Sequence, residues 1–217
     1  MHTRIKVGTR PSLLALKQSE EIQRRLPNTI LDVVTIETKG DKDKVTPLVK
    51  IEGSDFFTDE IESALLNKRI DVAVHSAKDL ESNIALDLFI VAMTKSISPF
   101  DCLVSKGNYT LDSLPLNSII GTSSRNRRDS IVRYRKDLIA KDIRGNVDER
   151  LRQLDRGNFD AIIVAQAALI RLGQEKRIAQ TIPSNIIEPH PLQGRLAIQI
   201  RKDRDDLIEV FRGIDET

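Results

Sequence analysis

The chain has 217 residues, enough for one large domain or two modest ones, and its 40% hydrophobic and 30% charged content describes an ordinary soluble globular protein. Its 34 Lys and Arg nearly balance its 32 Asp and Glu, and the net charge of +2 is too small to argue for nucleic acid or a membrane surface. The single cysteine, Cys102, excludes an internal disulfide and fits a reducing cytosol, and the absence of both an apolar leader after Met1 and a long apolar run leads us to expect a cytoplasmic protein with no membrane span.

Taken in chain order, strand-like and helix-like segments alternate. Residues 5–8 read as a strand, Thr9-Arg10-Pro11-Ser12 as a turn suited to opening a helix, and Leu13, Leu14, Leu16, Ile22 and Leu26 recur at helical spacing. Residues 31–37 read as a strand, 57–66 as a helix, and 70–74 and 86–92 as strands, the first of these expected parallel to 5–8. After a linker at 96–100 the same grammar restarts. Strands are expected at 101–105, 118–121, 138–144 and 159–165, with helices at 127–135 and 147–154; after a loop with Pro183, Pro189, Pro191 and Gly194 come a strand at 196–200 and a helix at 207–211. This repetition predicts an α/β fold with mostly parallel sheets, in two β/α domains. Domain 1 is expected to take residues 1–95 plus 195–217 and domain 2 residues 96–194. Two linkers, near 94–100 and 188–195, would leave an inter-domain cleft able to close on a ligand.

Two stretches carry the chemistry. Val72-Ala73-Val74 is a strand with no polar face, so it is expected at the centre of a sheet. It ends in His75-Ser76-Ala77-Lys78-Asp79, which places a lysine and a carboxylate at the carboxyl end of a buried strand, where open α/β sheets bind ligands. An ordinary surface pair opening a helix is the plain alternative. In a cleft, however, a carboxylate stabilises a developing cation, and an adjacent lysine keeps it ionised. The second stretch, residues 121–156, holds nine Arg and two Lys against six acidic residues, in a chain that is otherwise nearly neutral. Arg133, Arg135, Arg152 and Arg156 read as a solvated face. Arg127, Arg144 and Arg150 lie nearer strand ends and helix starts, where guanidinium forks match carboxylates. The hydroxyls and N–H groups of Thr9, Ser12, Thr122, Ser123 and Ser124 sit in strand-to-helix turns that suit acidic groups. His75 reads as a satisfied core histidine. His2 and His190 are too scattered for a metal site, so no metal is expected. Cys102 reads as a buried inert thiol, and Phe57 as either core or a stacking face.

Together Val7-Gly8-Thr9-Arg10-Pro11-Ser12-Leu13-Leu14-Ala15-Leu16, Asp71-Val72-Ala73-Val74-His75-Ser76-Ala77-Lys78-Asp79, Gly121-Thr122-Ser123-Ser124, Arg144-Gly145-Asn146-Val147 and Gln193-Gly194 resemble porphobilinogen deaminase (hydroxymethylbilane synthase), in order from about residue 4 to the end. The resemblance implies three domains, the first two like periplasmic binding proteins. It also implies a transferase of haem and porphyrin biosynthesis that joins four porphobilinogen molecules head to tail with release of ammonia, on a dipyrromethane primer held by a cysteine of the third domain. By resemblance Asp79 faces the cationic azafulvene and the pyrrole N–H groups. Lys78, Arg10, Arg127, Arg144, Arg150 and Arg171 hold acetate and propionate arms with Ser12, Ser76, Thr122, Ser123, Ser124 and Gly145. Gln193 sits at the inter-domain cleft, and Phe57 on a mobile loop. Three departures stand out. The third domain and its attachment cysteine are not in this chain, Asn126 replaces the first of an Arg-Arg pair, and Ser54-Asp55 replaces a lysine-glycine step.

Three functions compete. The first is the transferase, working on porphobilinogen as a monomer. The second is a non-catalytic two-domain binder of polycarboxylates or tetrapyrroles. The third, a nucleic-acid binder using residues 121–156, is disfavoured by 4% aromatic content, the lack of tryptophan and the interspersed acidic residues.

Overall fold

The computed structural model describes residues 3–43, 58–80 and 84–216. The chain forms two compact units. The described residues of the first run to Asp43, from Thr58 to Ile97 and from Gly194 onward, and those of the second run from Ser98 to Gln193.

The first unit contains β1 (Thr3–Thr9), α1 (Leu13–Arg25), β2 (Thr29–Thr35), the single turn α2 (Lys39–Lys42), α3 (Asp59–Leu66), β3 (Val72–Ser76), β4 (Leu88–Met93), and, from the end of the chain, β10 (Leu196–Arg201) and α7 (Asp205–Arg212). Its sheet has the order β2-β1-β3-β10-β4, so the apolar run of β3 is central, as its sequence demands. Both faces of β3 are covered. Val72 and Val74 pack with Ile5, Val7, Ile198, Ile200, Leu207 and Phe211, whereas Ala73 packs with Ile61, Ala64, Leu65, Ile70 and Leu88. Gly8 allows this packing, because a Cβ there would lie 2.2 Å from Ile70 Cδ1.

The second unit contains β5 (Asp101–Ser105), β6 (Ile119–Gly121), α4 (Arg125–Tyr134), β7 (Ile139–Lys141), α5 (Val147–Asp155), β8 (Ala161–Ala165), α6 (Gln166–Arg171) and β9 (Gln180–Ile182). Its sheet has the order β7-β6-β8-β5-β9. One apolar layer gathers Leu103, Ile120, Ile131, Ala161 and Ile163, and the other Val104, Ile143, Leu151, Leu154, Ile162 and Val164.

The sheets are mixed rather than mostly parallel. In the first, β1 runs parallel to β2 and β3, but β10 is antiparallel to both β3 and β4. In the second, β6 runs parallel to β7 and β8, and β5 is antiparallel to β8 and β9. The alternation of strands and helices forces parallel pairing only where a helix crosses directly between neighbours. β10 and β5 are not reached in that way, and apolar content does not encode strand direction. Two short elements, α6 and β9, and the turn α2 were not legible, being three to six residues long. The strand expected at 138–144 shortens to β7, after which the chain turns toward α5.

Candidate functional site

In the first unit the parallel strands β1 and β3 end on the same edge of the sheet. Beyond β1, Ser12 accepts a hydrogen bond from Ala15 N at 3.2 Å and so caps α1. The buried Thr9 hydroxyl donates to the carbonyl of Ala15. Arg10 lays Nε and Nη2 on the carboxylate of Asp41, at 3.1 and 2.5 Å from Oδ1. The same carboxylate accepts from the amide and hydroxyl of Thr38 at the start of α2. Burial pushes the Asp41 carboxyl up, but its bonds to Arg10 and Thr38 outweigh this and hold it below the usual range.

Beyond β3 the chain makes one 3-10 turn, Ala77–Asp79, rather than the start of an α-helix. Ala77 N donates to the carbonyl of Arg195 at 3.0 Å, and the Ser76 hydroxyl accepts from Gln18 Nε2 at 2.9 Å, so both sides of the strand end are tied down. Lys78 is half-buried and Asp79 is exposed. A fixed turn therefore presents a carboxylate to solvent at the end of the central strand. His75, one residue before the end of that strand, is buried and lies 3.0 Å from Gln199 Oε1; burial pushes its pKa down to about 4.

In the second unit the parallel strands β6, β7 and β8 likewise end together. Thr122 and Ser123 are buried, and their hydroxyls serve the turn: Thr122 Oγ1 accepts from Ser124 N, and Ser123 Oγ donates to the carbonyl of Ile143. Ser124 caps α4, accepting from Arg127 N. Arg127 grips the buried Asp101 with two prongs, Nε to Oδ2 at 2.8 Å and Nη2 to Oδ1 at 2.6 Å. Gln193, also buried, donates to Asp101 Oδ1 and to the carbonyl of Pro99, both at 2.8 Å. Arg127 thus holds β5 to α4. Asn126 donates to the carbonyl of Glu188, Arg128 pairs with Asp142, and the exposed Arg125 stands 3.9 Å from Asp129.

Gly145 takes φ +100, and a Cβ there would meet Glu149 Oε2 at 2.7 Å. That carboxylate is in place to accept from Asn146 N at 2.9 Å, while Asn146 Oδ1 accepts from Glu149 N at 2.9 Å, a reciprocal cap on α5. Arg150 Nε donates back to the carbonyl of Gly145. One face of α5 borders a groove of about 420 Å³ lined by Arg144, Gly145, Glu149, Arg152, Gln153 and Arg156. Arg152 and Arg156, read from sequence as ordinary surface, therefore share a groove with Arg144. Arg135, unlike the solvated residue its sequence position suggests, has a side chain only 17% exposed, which donates to the carbonyls of Leu111, Asp112 and Leu114. Arg171 is half-buried at the end of α6. Phe57, Ser54 and Asp55 lie outside the described residues.

The buried Cys102 has its thiol pushed up to about 12, by burial first and by Asp101 second, which leaves it protonated and inert. Among the described residues no group of His, Cys, Asp and Glu is arranged to hold a metal ion, and no helix is long and apolar enough to cross a membrane. Sequence reasoning missed Asp41, Asp101 and Gln199, the partners of Arg10, Arg127 and His75. Only Gln199 left a trace, as one polar residue inside the apolar run of β10.

The sequence model described as "Porphobilinogen deaminase, dipyromethane cofactor binding domain" matches residues 5–209. The chain belongs to the porphobilinogen deaminase family. A porphobilinogen deaminase of Natranaerobius thermophilus is 40% identical over 219 residues, covering 99% of this chain and 70% of the relative. That of Brevibacillus brevis is 41% identical over 215 residues, covering 97% and 70%. In fold, this member of the porphobilinogen deaminase family is like periplasmic binding proteins. A periplasmic substrate-binding protein of an ABC transporter from Coxiella burnetii matches with a TM-score of 0.58 at 12% identity, covering 97% of this chain and 91% of that one. A putative methionine-binding lipoprotein from Bacillus subtilis matches with a TM-score of 0.57 at 14% identity, covering 99% and 91%.

Proposed function

We propose that this chain polymerises porphobilinogen into a linear tetrapyrrole with release of ammonia, the hydroxymethylbilane synthase reaction, with Asp79 as the carboxylate that faces the reacting carbon. Its place in the porphobilinogen deaminase family makes it a transferase of tetrapyrrole biosynthesis. The observation that carries the residue assignment is the exposed carboxylate of Asp79, beside Lys78, on a turn fixed at the end of a central strand buried from Val72 to His75. Loss of ammonia from the aminomethyl carbon leaves positive charge on the substrate. A fixed carboxylate stabilises that charge as it develops, without reorganising. Lys78 supplies a cation for an acidic side arm of the pyrrole.

We assign the remaining arms to Arg10, Ser12 and Ser76 in the domain of residues 1–95 plus 195–217. In the domain of residues 96–194 we assign them to Thr122, Ser123, Ser124, Arg144, Gly145, Arg150 and Arg171, with Arg127 and Gln193 supporting them through Asp101. The donor set, guanidinium groups, a lysine and hydroxyl turns at strand ends, fits a dipyrromethane cofactor, whose pyrroles carry the same acidic arms and would supply the growing end of the chain. Cys102, buried and protonated, does not tether it. We place the protein in the cytoplasm as a monomer.

The test is Asp79→Ala. Porphobilinogen consumption should fall at least about 100-fold in kcat, the order seen when one electrostatic stabiliser is removed. The thermal midpoint should barely move, because the side chain is exposed. Unchanged turnover would remove Asp79 from the mechanism. A second reading, a binder of tetrapyrroles without turnover, draws on the inert state of Cys102. It requires calorimetric binding of a linear tetrapyrrole that weakens with salt while porphobilinogen stays intact.

A further inference from the structure

The face of α5 turned away from the core carries cations that packing does not explain. Leu151 and Leu154 point into an apolar layer of the second unit. Glu149, Arg152, Gln153 and Arg156 follow one another at i, i+3, i+4 and i+7, so they share the opposite face of the helix. With Arg144 and Gly145, just ahead of the helix, they line the groove of about 420 Å³. A volume of this order suits a small-molecule ligand.

Three guanidinium groups meet one carboxylate in this groove. The carboxylate is already engaged, because Glu149 Oε2 accepts from Asn146 N at 2.9 Å. Gln153 Nε2 donates to the carbonyl of Arg144 at 2.8 Å. Both side chains are therefore held as parts of the wall. Arg152 and Arg156 are exposed, and among the described residues neither side chain has a hydrogen bond or an ion pair. Asp148, four residues before Arg152, does not pair with it, and Asp155 is taken by Arg177.

A solvated helix face is the plain alternative, and a helix dipole does favour a cation near its C-terminus. One cation there would serve the dipole, whereas like charges four residues apart destabilise a helix. Arg144 lies outside the helix and yet faces the same groove. Arg152 and Arg156 stand about 6 Å apart along the helix axis, farther than the two oxygens of one carboxylate. The row therefore matches a ligand that carries carboxylates at intervals, each gripped by a guanidinium fork.

We propose that the outer face of α5 is a binding site for the free linear tetrapyrrole, with Arg152 and Arg156 holding acidic arms of its rings next to the arm held by Arg144. The site rests on the tetrapyrrole reading above and extends it to two residues outside the set assigned there. A single pyrrole bears too few carboxylates to use the whole row, so the site selects the joined product over porphobilinogen.

The test is calorimetric titration of the full chain with a linear bilane carrying acetate and propionate arms. Arg152→Gln/Arg156→Gln should weaken binding at least about tenfold and make it less dependent on salt. Arg133→Gln/Lys136→Gln, an equal loss of charge at exposed positions outside the groove, should leave the affinity within about twofold. Unchanged bilane affinity in the groove variant overturns the proposal, and so does an equal loss in the control, which would show only the overall field of the protein. A rise in KM for porphobilinogen as large as the loss of bilane affinity overturns the assignment to joined rings. If the double variant does not fold, Arg152→Gln alone decides, with a loss of about threefold expected. Absence of porphobilinogen turnover in the unsubstituted protein would end the transferase reading while the bilane comparison still stood. Normal turnover with bilane affinity unmoved by the groove variant would end the α5 site alone.

Discussion

Burial decides the chemistry of individual side chains here more than residue type does. His75 shows it most directly, its pKa pushed to about 4 by desolvation despite the Gln199 hydrogen bond and the nearby Asp79. A free histidine titrates near about 6.5. Between these values the unfolded chain binds a proton that the folded chain refuses, so the stabilising contribution is complete above about pH 6.5 and is lost as the pH falls toward 4. The full loss is about 3 kcal/mol. Urea unfolding at about pH 7 and pH 4.5 should show this acid slope, and His75→Gln should remove that part of it. The arginines make the same point with the opposite charge. Arg10, Arg127 and Arg135 look alike in sequence. In the fold one sits on Asp41, one clamps the buried Asp101, and one ties three loop carbonyls together. Sequence spacing does not reveal these partners, because the acidic residues lie 31 and 26 positions away.

Among elements, the most legible were those with both a period and a punctuation mark. The helix after Arg10-Pro11-Ser12 starts where its capping serine demands. The helix after Gly145-Asn146 starts at Val147, because Asn146 and Glu149 satisfy each other's backbone donors. Asn146→Ala should destabilise the protein by about 1 kcal/mol, read as a lower denaturant midpoint. If the cap also fixes the Gly145 carbonyl for Arg150, the same variant should lower affinity for a tetrapyrrole while leaving kcat for porphobilinogen nearly unchanged. The central position of β3 was legible too, from a run with no polar face. The direction of β10 and β5 was not. Their residues alternate as well for an antiparallel strand as for a parallel one, and only the path of the chain chooses.

In the whole molecule, one sheet pattern is used twice. The orders β2-β1-β3-β10-β4 and β7-β6-β8-β5-β9 correspond strand for strand, each with two parallel steps and then two antiparallel ones around an inserted strand. The second unit draws its whole sheet from one continuous stretch, whereas the first needs β10 from the far end of the chain. Residues 98–193 expressed alone should therefore unfold cooperatively in denaturant, and residues 1–97 alone should not, because β3 and β4 would lose the strand between them. A non-cooperative transition in the 98–193 fragment would count against an independent core there. The sequence by itself determined the family, the α/β class, the buried strands and the Lys78-Asp79 and Gly121–Ser124 turns, because apolar period, caps and short motifs are local properties that neighbouring residues enforce. The tertiary structure alone decided which arginines are engaged by buried carboxylates, which way the inserted strands run, and that His75 stays neutral. Each of those depends on groups brought together from distant parts of the chain, and the cost of burying an unpaired charge is set by that assembly.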